Sequence, residues 1–153
     1  TLYEAIIELF VESESSRIGN LQIPPVLWRQ MTNAPLITLD IPVAARAAYL
    51  VSVYDRLTTD TSDLSRLITG MVRRHGNEVT GSWKKLMQDG DWCGLAEALL
   101  STHYDPAYDQ SVSRHNRTQW LQLAQADCSA AEMDQTASQI LSALQDQAAP
   151  SEV

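Results

Sequence analysis

Between Phe10 and Gly19 the chain gathers four side chains with chemical potential inside six residues: Glu12, Glu14, Ser15 and Arg17. They follow an apolar run, Ile6 to Val11, that is broken only by Glu8. A short apolar run ending in turn residues reads as a buried strand. In open α/β sheets, ligands sit just beyond the carboxyl ends of the strands. A carboxylate there, here Glu12, could hold Mg²⁺ or its waters beside a phosphate, because that ion takes oxygen ligands and keeps part of its water shell. Arg17 would offer a fork of donors to a phosphate or carboxylate. A strand end followed by a solvated polar turn explains the same residues without any ligand.

Two further groups stand out. Arg66, Arg73, Arg74, Lys84 and Lys85 face Glu78 alone, a local net charge of +4 on a chain whose formal net charge is −8. The acidic total excludes general electrostatic adhesion to nucleic acid. A basic island on an acidic body can still position one polyanion, and a solvated helix surface is the competing explanation. The second group is His103-Tyr104-Asp105-Pro106-Ala107-Tyr108. Its two tyrosines, four residues apart, are suited to stacking on a nucleotide base. Asp105 before Pro106 can equally cap a helix that has proline in its first turn. His103 and His115 are too isolated in sequence to be metal ligands. Cys93 and Cys128 lie far apart without partners at metal spacing, so reduced thiols are expected. Cys93 has no nearby base to mark it as a nucleophile.

These groups need elements to position them. The chain has 153 residues and is 44% hydrophobic, enough for one domain with a core. No run approaches the ~20 apolar residues of a membrane span, and no signal peptide is visible, so a cytoplasmic protein is expected. The chain starts at Thr1 rather than Met, which points to processing or truncation. Thr1 to Glu8 looks helical yet joins the apolar run without a turn, so residues missing near Ile6 to Leu9 are one expectation. Strands are expected at about 9–12, 36–40 and 118–123, mostly parallel. Pro25 should open a short helix to Asn33, and Pro42 another to about Thr58, with Val43, Ala47, Leu50, Val51 and Tyr54 inward. Arg46 would lie in that helix's first turn and could pair with Asp40 or Asp55. Asp60 or Ser62 should cap a helix to about Arg74, with Leu64, Leu67, Ile68 and Met71 buried and Gly76 as its stop. Val79 to Gln88 should turn Trp83 and Leu86 inward and Lys84 and Lys85 outward. Asp91 should cap a helix to about His103. Ser129 with Glu132 reads as a capping box for a last helix to about Asp146, with Met133, Ala137, Ile140, Leu141 and Leu144 inward. The segment from Ala148 to Val153 reads as a fraying tail.

At this point the residues carry a family resemblance. Val11-Glu12-Ser13-Glu14-Ser15-Ser16-Arg17-Ile18-Gly19 is similar to the V-E-D-E-S-R-x-I-G of the tRNA 2-selenouridine synthases. Ser13 stands where that family usually has Asp, and Ser16 where it often has a basic residue. Leu27, Met31, Ala34-Pro35, Leu39, Pro42, Arg46 and Tyr54 follow its next block, and His103 to Tyr108 resembles its H-Y-D-P-x-Y. The family carries an N-terminal rhodanese-like domain with a catalytic cysteine, followed by a P-loop. Neither a G-x-x-x-x-G-K-[ST] motif nor the rhodanese cysteine loop occurs in these residues.

The resemblance implies an α/β fold, the C-terminal part (1–147) of a helix-rich, three-layer P-loop NTPase-like domain, with a helical insertion at about 60–115. It also implies the exchange of the 2-thio sulfur of wobble uridine in tRNA for selenium from selenophosphate, through an S-geranyl intermediate made from geranyl diphosphate. By resemblance, Glu12, Glu14, Ser15, Arg17 and Arg46 would face the phosphate-bearing ligand, with Glu12 the residue for any Mg²⁺. Arg66, Arg73, Arg74, Lys84, Lys85, Tyr104, Asp105 and Tyr108 would face tRNA. The missing rhodanese and P-loop segments would be partners, and no catalytic residue is assigned to this chain. A non-catalytic tRNA-binding module or a structural module of a P-loop protein is the alternative. Binding of tRNA by this chain alone in a gel shift would favour the binding module.

Overall fold

Proline sets the boundaries of the N-terminal part. In the computed structural model, which describes residues 9–12, 15–54, 61–115 and 117–148, a hairpin comes first. Strands β1 (Arg17–Ile18) and β2 (Leu21–Gln22) pair antiparallel around Gly19-Asn20. Gly19 has φ 59, a left-handed value that a two-residue hairpin turn requires and glycine adopts freely. Pro25 then occupies the first turn of α1 (Pro25–Asn33), where its missing N–H costs nothing. Ala34 is extended, as the residue before Pro35 must be, and β3 (Leu36–Asp40) follows directly. Pro42 precedes α2 (Val43–Val53), whose Ala47 is fully buried.

A series of helices follows. Helix α3 (Ser62–Gly70) leads into α4 (Val72–Asp89), which is broken internally at Gly76. Gly76 has φ 81 and ψ 172, so its first turn and the remainder are two helices meeting at a kink. Gly90, at φ 73, ends α4 in the left-handed conformation usual for a helix stop. Asp91 caps α5 (Trp92–Leu99), its Oδ1 accepting from the Gly94 N–H at 2.9 Å. Helix α5 does not stop there. It passes through a π-helical turn (Leu100–Tyr104), in which the Asp105 N–H reaches back to the Leu100 carbonyl, and continues as α6 (Asp105–Ser113). Pro106, with no N–H to donate, sits just past that turn, a usual place for helical irregularity.

Strand β4 (Gln119–Ala124) then pairs in parallel with β3, and α7 (Ala130–Ala148) closes the described chain. Between Leu36↔Gln119 and Ile37↔Leu121 the register slips by one residue, which makes Trp120 a bulge. The main core is helical: Ile68, Trp83 and Leu95, from α3, α4 and α5, are at most 3% exposed. On the sheet side Leu36 is buried, but Leu39 is 39% exposed.

Several expectations change. Residues 9–12 form no strand, and Leu9 and Phe10 are 80% and 52% exposed, because an apolar run becomes a strand only when it finds a partner to pair with. The strand expected at 118–123 lies one residue later. Leu67, expected inward, is 57% exposed, and the helix expected to reach Arg74 ends at Gly70. Gly76 is a kink within α4 rather than a stop. Tyr54, Met133, Ala137 and Leu141 face outward, and Thr136 is the buried residue of α7. Lys84 is half-buried. The capping box forms in altered shape. The Glu132 N–H donates to Ser129 Oγ at 3.4 Å, but the Glu132 carboxylate accepts from the Ala126 N–H, while the Ser129 N–H donates to Asp127. Hydrogen bonding from the Ser129 side chain, and then from its N–H, holds the Asp127 carboxyl below its ordinary range.

The result is a mixed α/β, helix-rich fold with one small parallel sheet, and these two parallel strands alone do not establish a three-layer P-loop arrangement. Among the described residues no helix is long and apolar enough to cross a membrane. The expectations for Thr1 to Glu8, for missing residues near Ile6, for Glu14, for Asp55 to Asp60 and for the segment after Ala148 lie outside the described residues.

Candidate functional site

The parallel pairing of β3 and β4 leaves α2 starting just past the carboxyl end of β3, so Arg46 in its first turn sits beside the sheet. The π-helical turn aims Asp105 at the same place. The two side chains form a fork: Arg46 Nη1 donates to Asp105 Oδ1 at 3.0 Å and Nη2 to Oδ2 at 2.6 Å. Their side chains are 27% and 31% exposed. The Asp105 carboxylate raises the guanidinium pKa further above its ordinary value, against an opposing contribution from partial burial. Two of arginine's five N–H donors are thereby used, and the buried Arg46 Nε has no partner among the described residues. Neither Asp40 nor the cap of α6 takes part. Asp105 holds Arg46 instead of capping, because the helix already continues through Tyr104 and has no free N-terminus there.

Two clefts, each of about 680 Å³, meet at this pair. Arg46, Tyr104 and Glu12 line both. The first cleft runs between α2 and α5. Its walls are mainly apolar, with Leu50, Leu64, Met71, Trp92 and Leu99 among them, and His103 and Cys128 join the polar groups that line it. The second cleft lies against β3 and is more polar, lined by Asp105, Tyr108, Arg117 and Trp120 as well as the residues shared with the first. The Tyr104 and Tyr108 rings are nearly parallel, 8° apart in plane and 6.4 Å between centroids. Arg117 Nε donates to the Ala34 carbonyl at 3.1 Å, tying the start of β4 to that of β3.

The expected site residues therefore separate. Glu12, Arg46, Tyr104, Asp105 and Tyr108 come together. Arg17 does not join them: its Nε donates to the Gly19 carbonyl at 3.0 Å within its own hairpin, and it lines neither cleft. Ser15 Oγ accepts from the Arg17 N–H at 3.1 Å, a local turn bond. The basic residues lie on α3 and α4. Arg66 pairs with Asp63 at 2.8 Å and Lys85 with Asp89 at 2.6 Å, both in solvent, while Arg73 and Arg74 are exposed in the first turn of α4. Among the described residues no three His, Cys, Asp or Glu side chains cluster as a metal site needs. Glu12 is the one carboxylate lining the first cleft, and in the second its neighbour Asp105 is committed to Arg46. These residues do not fit a Mg²⁺ site.

One contact had no sequence signal. His75 Nε2 and His103 Nδ1 lie 2.9 Å apart, although 28 positions separate them in the chain. His103 lines the first cleft, and desolvation, then Arg74, then His75 lower its pKa below the ordinary 6.5.

Compared with known proteins, residues 3–65 match the family described as the tRNA 2-selenouridine synthase AAA domain. Neither a curated protein nor a solved structure matches the chain.

Proposed function

We propose, from the match of residues 3–65 to the tRNA 2-selenouridine synthase AAA-domain family, that the chain is the substrate-holding part of an enzyme that replaces the 2-thio sulfur of wobble uridine in tRNA with selenium from selenophosphate, through an S-geranyl intermediate. The observation that carries this reading is the Arg46–Asp105 fork. Arg46 lies inside the family match and Asp105 beyond it, so the bond joins the matched region to the helices that follow. Residues from all three family-like blocks, Glu12, Arg46 and Tyr104, line the same two clefts.

The first cleft is the place for the geranyl chain. Its volume is within the ordinary range of small-molecule pockets, and such pockets are mostly apolar with a few polar groups that fix orientation. Burying a ten-carbon chain against these walls is favourable at ~25 cal/mol per Å². Arg46, at the polar end, keeps donors beyond those given to Asp105 for the diphosphate. The second cleft, with Tyr104 and Tyr108 on one wall, would receive the wobble base, and the exposed Arg73 and Arg74 the tRNA backbone. Selenophosphate, the rhodanese segment and the P-loop segment would complete the enzyme. In this reading 1–147 is the C-terminal part of a P-loop-type domain with 60–115 as its helical insertion, acting in the cytoplasm.

The test is to fill the first cleft. Leu50→Trp in the enzyme that carries this chain should raise the KM for geranyl diphosphate by about tenfold, equivalent to ~1.4 kcal/mol, without altering the fold by circular dichroism. An unchanged KM in a folded variant would remove the geranyl chain from this cleft.

A further inference from the structure

We propose that His103 is the proton acceptor of the apolar cleft and that His75 is the positioning residue that holds it for that task, during attachment of the allylic chain to the thiolated pyrimidine. This rests on the reading of the first cleft given above. Both histidines stand where the helical backbone departs from α geometry. His75 closes the first turn of α4, immediately before the kink at Gly76, and His103 belongs to the π-helical turn. Such π turns recur at functional sites. The two irregular stretches bring the rings edge to face, 5.0 Å between centroids and 84° between planes. On its other side His75 packs edge-on against Trp83 at 5.0 Å, and Trp83 is only 1% exposed. The pair is thus anchored in the core at one end and borders the cleft at the other.

Two imidazoles 2.9 Å apart need one donor and one acceptor. With His103 Nδ1–H donating to His75 Nε2, His103 Nε2 keeps its lone pair, and no other hydrogen bond among the described residues occupies it. A proton taken up at Nε2 leaves an imidazolium whose Nδ1–H still donates to His75, so the pair survives the transfer. This is the orienting role that a hydrogen-bond acceptor plays for a histidine base. Burial first, and then the Arg74 guanidinium, hold the His103 pKa below its ordinary value, which favours the neutral form a base requires. Among the described residues, Arg74 and His75 from α4 act on it directly, and the charged and titratable groups that share its cleft are Tyr104 from the π turn, Arg46, Tyr49 and Tyr54 from α2 and its end, Glu12 from the N-terminal segment and Cys128 from the loop before α7.

In this step the 2-thio sulfur of the pyrimidine attacks C1 of the allylic diphosphate and the S–C bond forms. The C–O bond breaks and its electron pair leaves with the diphosphate. The base, seated in the second cleft, presents N3 where the two clefts meet beside Tyr104, and the N3 proton passes to His103 Nε2, leaving a neutral S-alkyl base. Nothing is oxidised or reduced.

The experiment measures geranyl transfer to a 2-thiouridine-containing anticodon stem-loop under single turnover, in the enzyme that carries this chain, across pH. His103→Gln should lower the rate by about 10²- to 10⁴-fold, the usual range for losing a general base, with the affinity for geranyl diphosphate retained. His75→Leu should displace the acidic limb of the pH profile, and His75→Gln, which restores an acceptor, should return it. In the unaltered enzyme the rate must fall in acid as a single group is protonated. A rate flat from neutral to acidic pH would overturn the proposal without any substitution, as would wild-type rate and acidic limb in His103→Gln. Failure of the cleft assignment itself appears separately, as Leu50→Trp leaving the KM for geranyl diphosphate unaltered.

Discussion

Removing the Arg46–Asp105 fork is the most informative perturbation of this fold, because it separates the sheet side from the π-helical turn that both clefts share. The magnitude follows from geometry and exposure. Two charge-assisted bonds at 2.6 and 3.0 Å make a bidentate contact. Hydrogen bonds to charged groups contribute about 1.5–3 kcal/mol net. Ion pairs in full solvent contribute ~0.2–1 kcal/mol, and breaking fully buried ones costs about 3–5 kcal/mol. With side chains 27% and 31% exposed, this pair falls between those limits. A coupling energy of ~2 kcal/mol is therefore expected, discounted from the buried value for solvent screening. The assay is a double-mutant cycle of Arg46→Met, Asp105→Asn and the double variant, read by urea unfolding at constant m-value. Asp105→Asn alone should cost more than the double variant, since it leaves a partly buried guanidinium facing a neutral amide. Partial burial also means that much of the coupling should survive 1 M salt, where the screening length is ~3 Å. A coupling below ~0.5 kcal/mol, the usual additivity error, would show that the fork holds nothing together and would refute this account of the site.

Three other outcomes are expected. Charge reversal of Arg73 and Arg74 in the enzyme should weaken tRNA binding and flatten its salt dependence, by roughly one unit of log–log slope for each phosphate no longer neutralised; unchanged affinity and slope would take tRNA off this face. Trp83→Ala should cost about 3–5 kcal/mol of unfolding free energy, since Trp83 is at the centre of the helical core at 1% exposure; a cost under ~1 kcal/mol would mean that the core collapses around the missing ring. His103 has a folded-state pKa below the ordinary 6.5, so between the two values the unfolded chain binds more protons. Stability from this group is thus present above pH 6.5 and is lost as pH falls through the folded value. Thermal melts of His103→Gln should show a shallower decline in that acidic window than the unaltered protein, and parallel curves would contradict the assignment.

Local chemistry was legible where a residue constrains its own backbone. Pro25, Pro35 and Pro42 mark the starts of α1, β3 and α2 because each fixes φ or forces its predecessor to extend. The Asp91 cap was visible for a similar reason, since an N-cap needs only a nearby N–H. The same logic overreached at residues 9–12, where apolar character was present but no pairing partner was, and at Asp105, where a cap was expected and a distant arginine took both oxygens. The Gly19-Asn20 hairpin carried a signal, a glycine in a two-residue turn between alternating residues, that the polar run around it obscured.

Sequence by itself determined the residue types and, from Pro25 onward, most of the order of the elements: an acidic body with one basic island, the family-like blocks, and helices that start close to their prolines and caps. Only the tertiary structure decided which of those residues meet. Arg46 and Asp105, or His75 and His103, are brought together by a parallel strand pairing, a kink and a π turn, and no local interaction links positions so far apart in the chain. Their contact is fixed by how the elements pack, and that is a property of the whole fold.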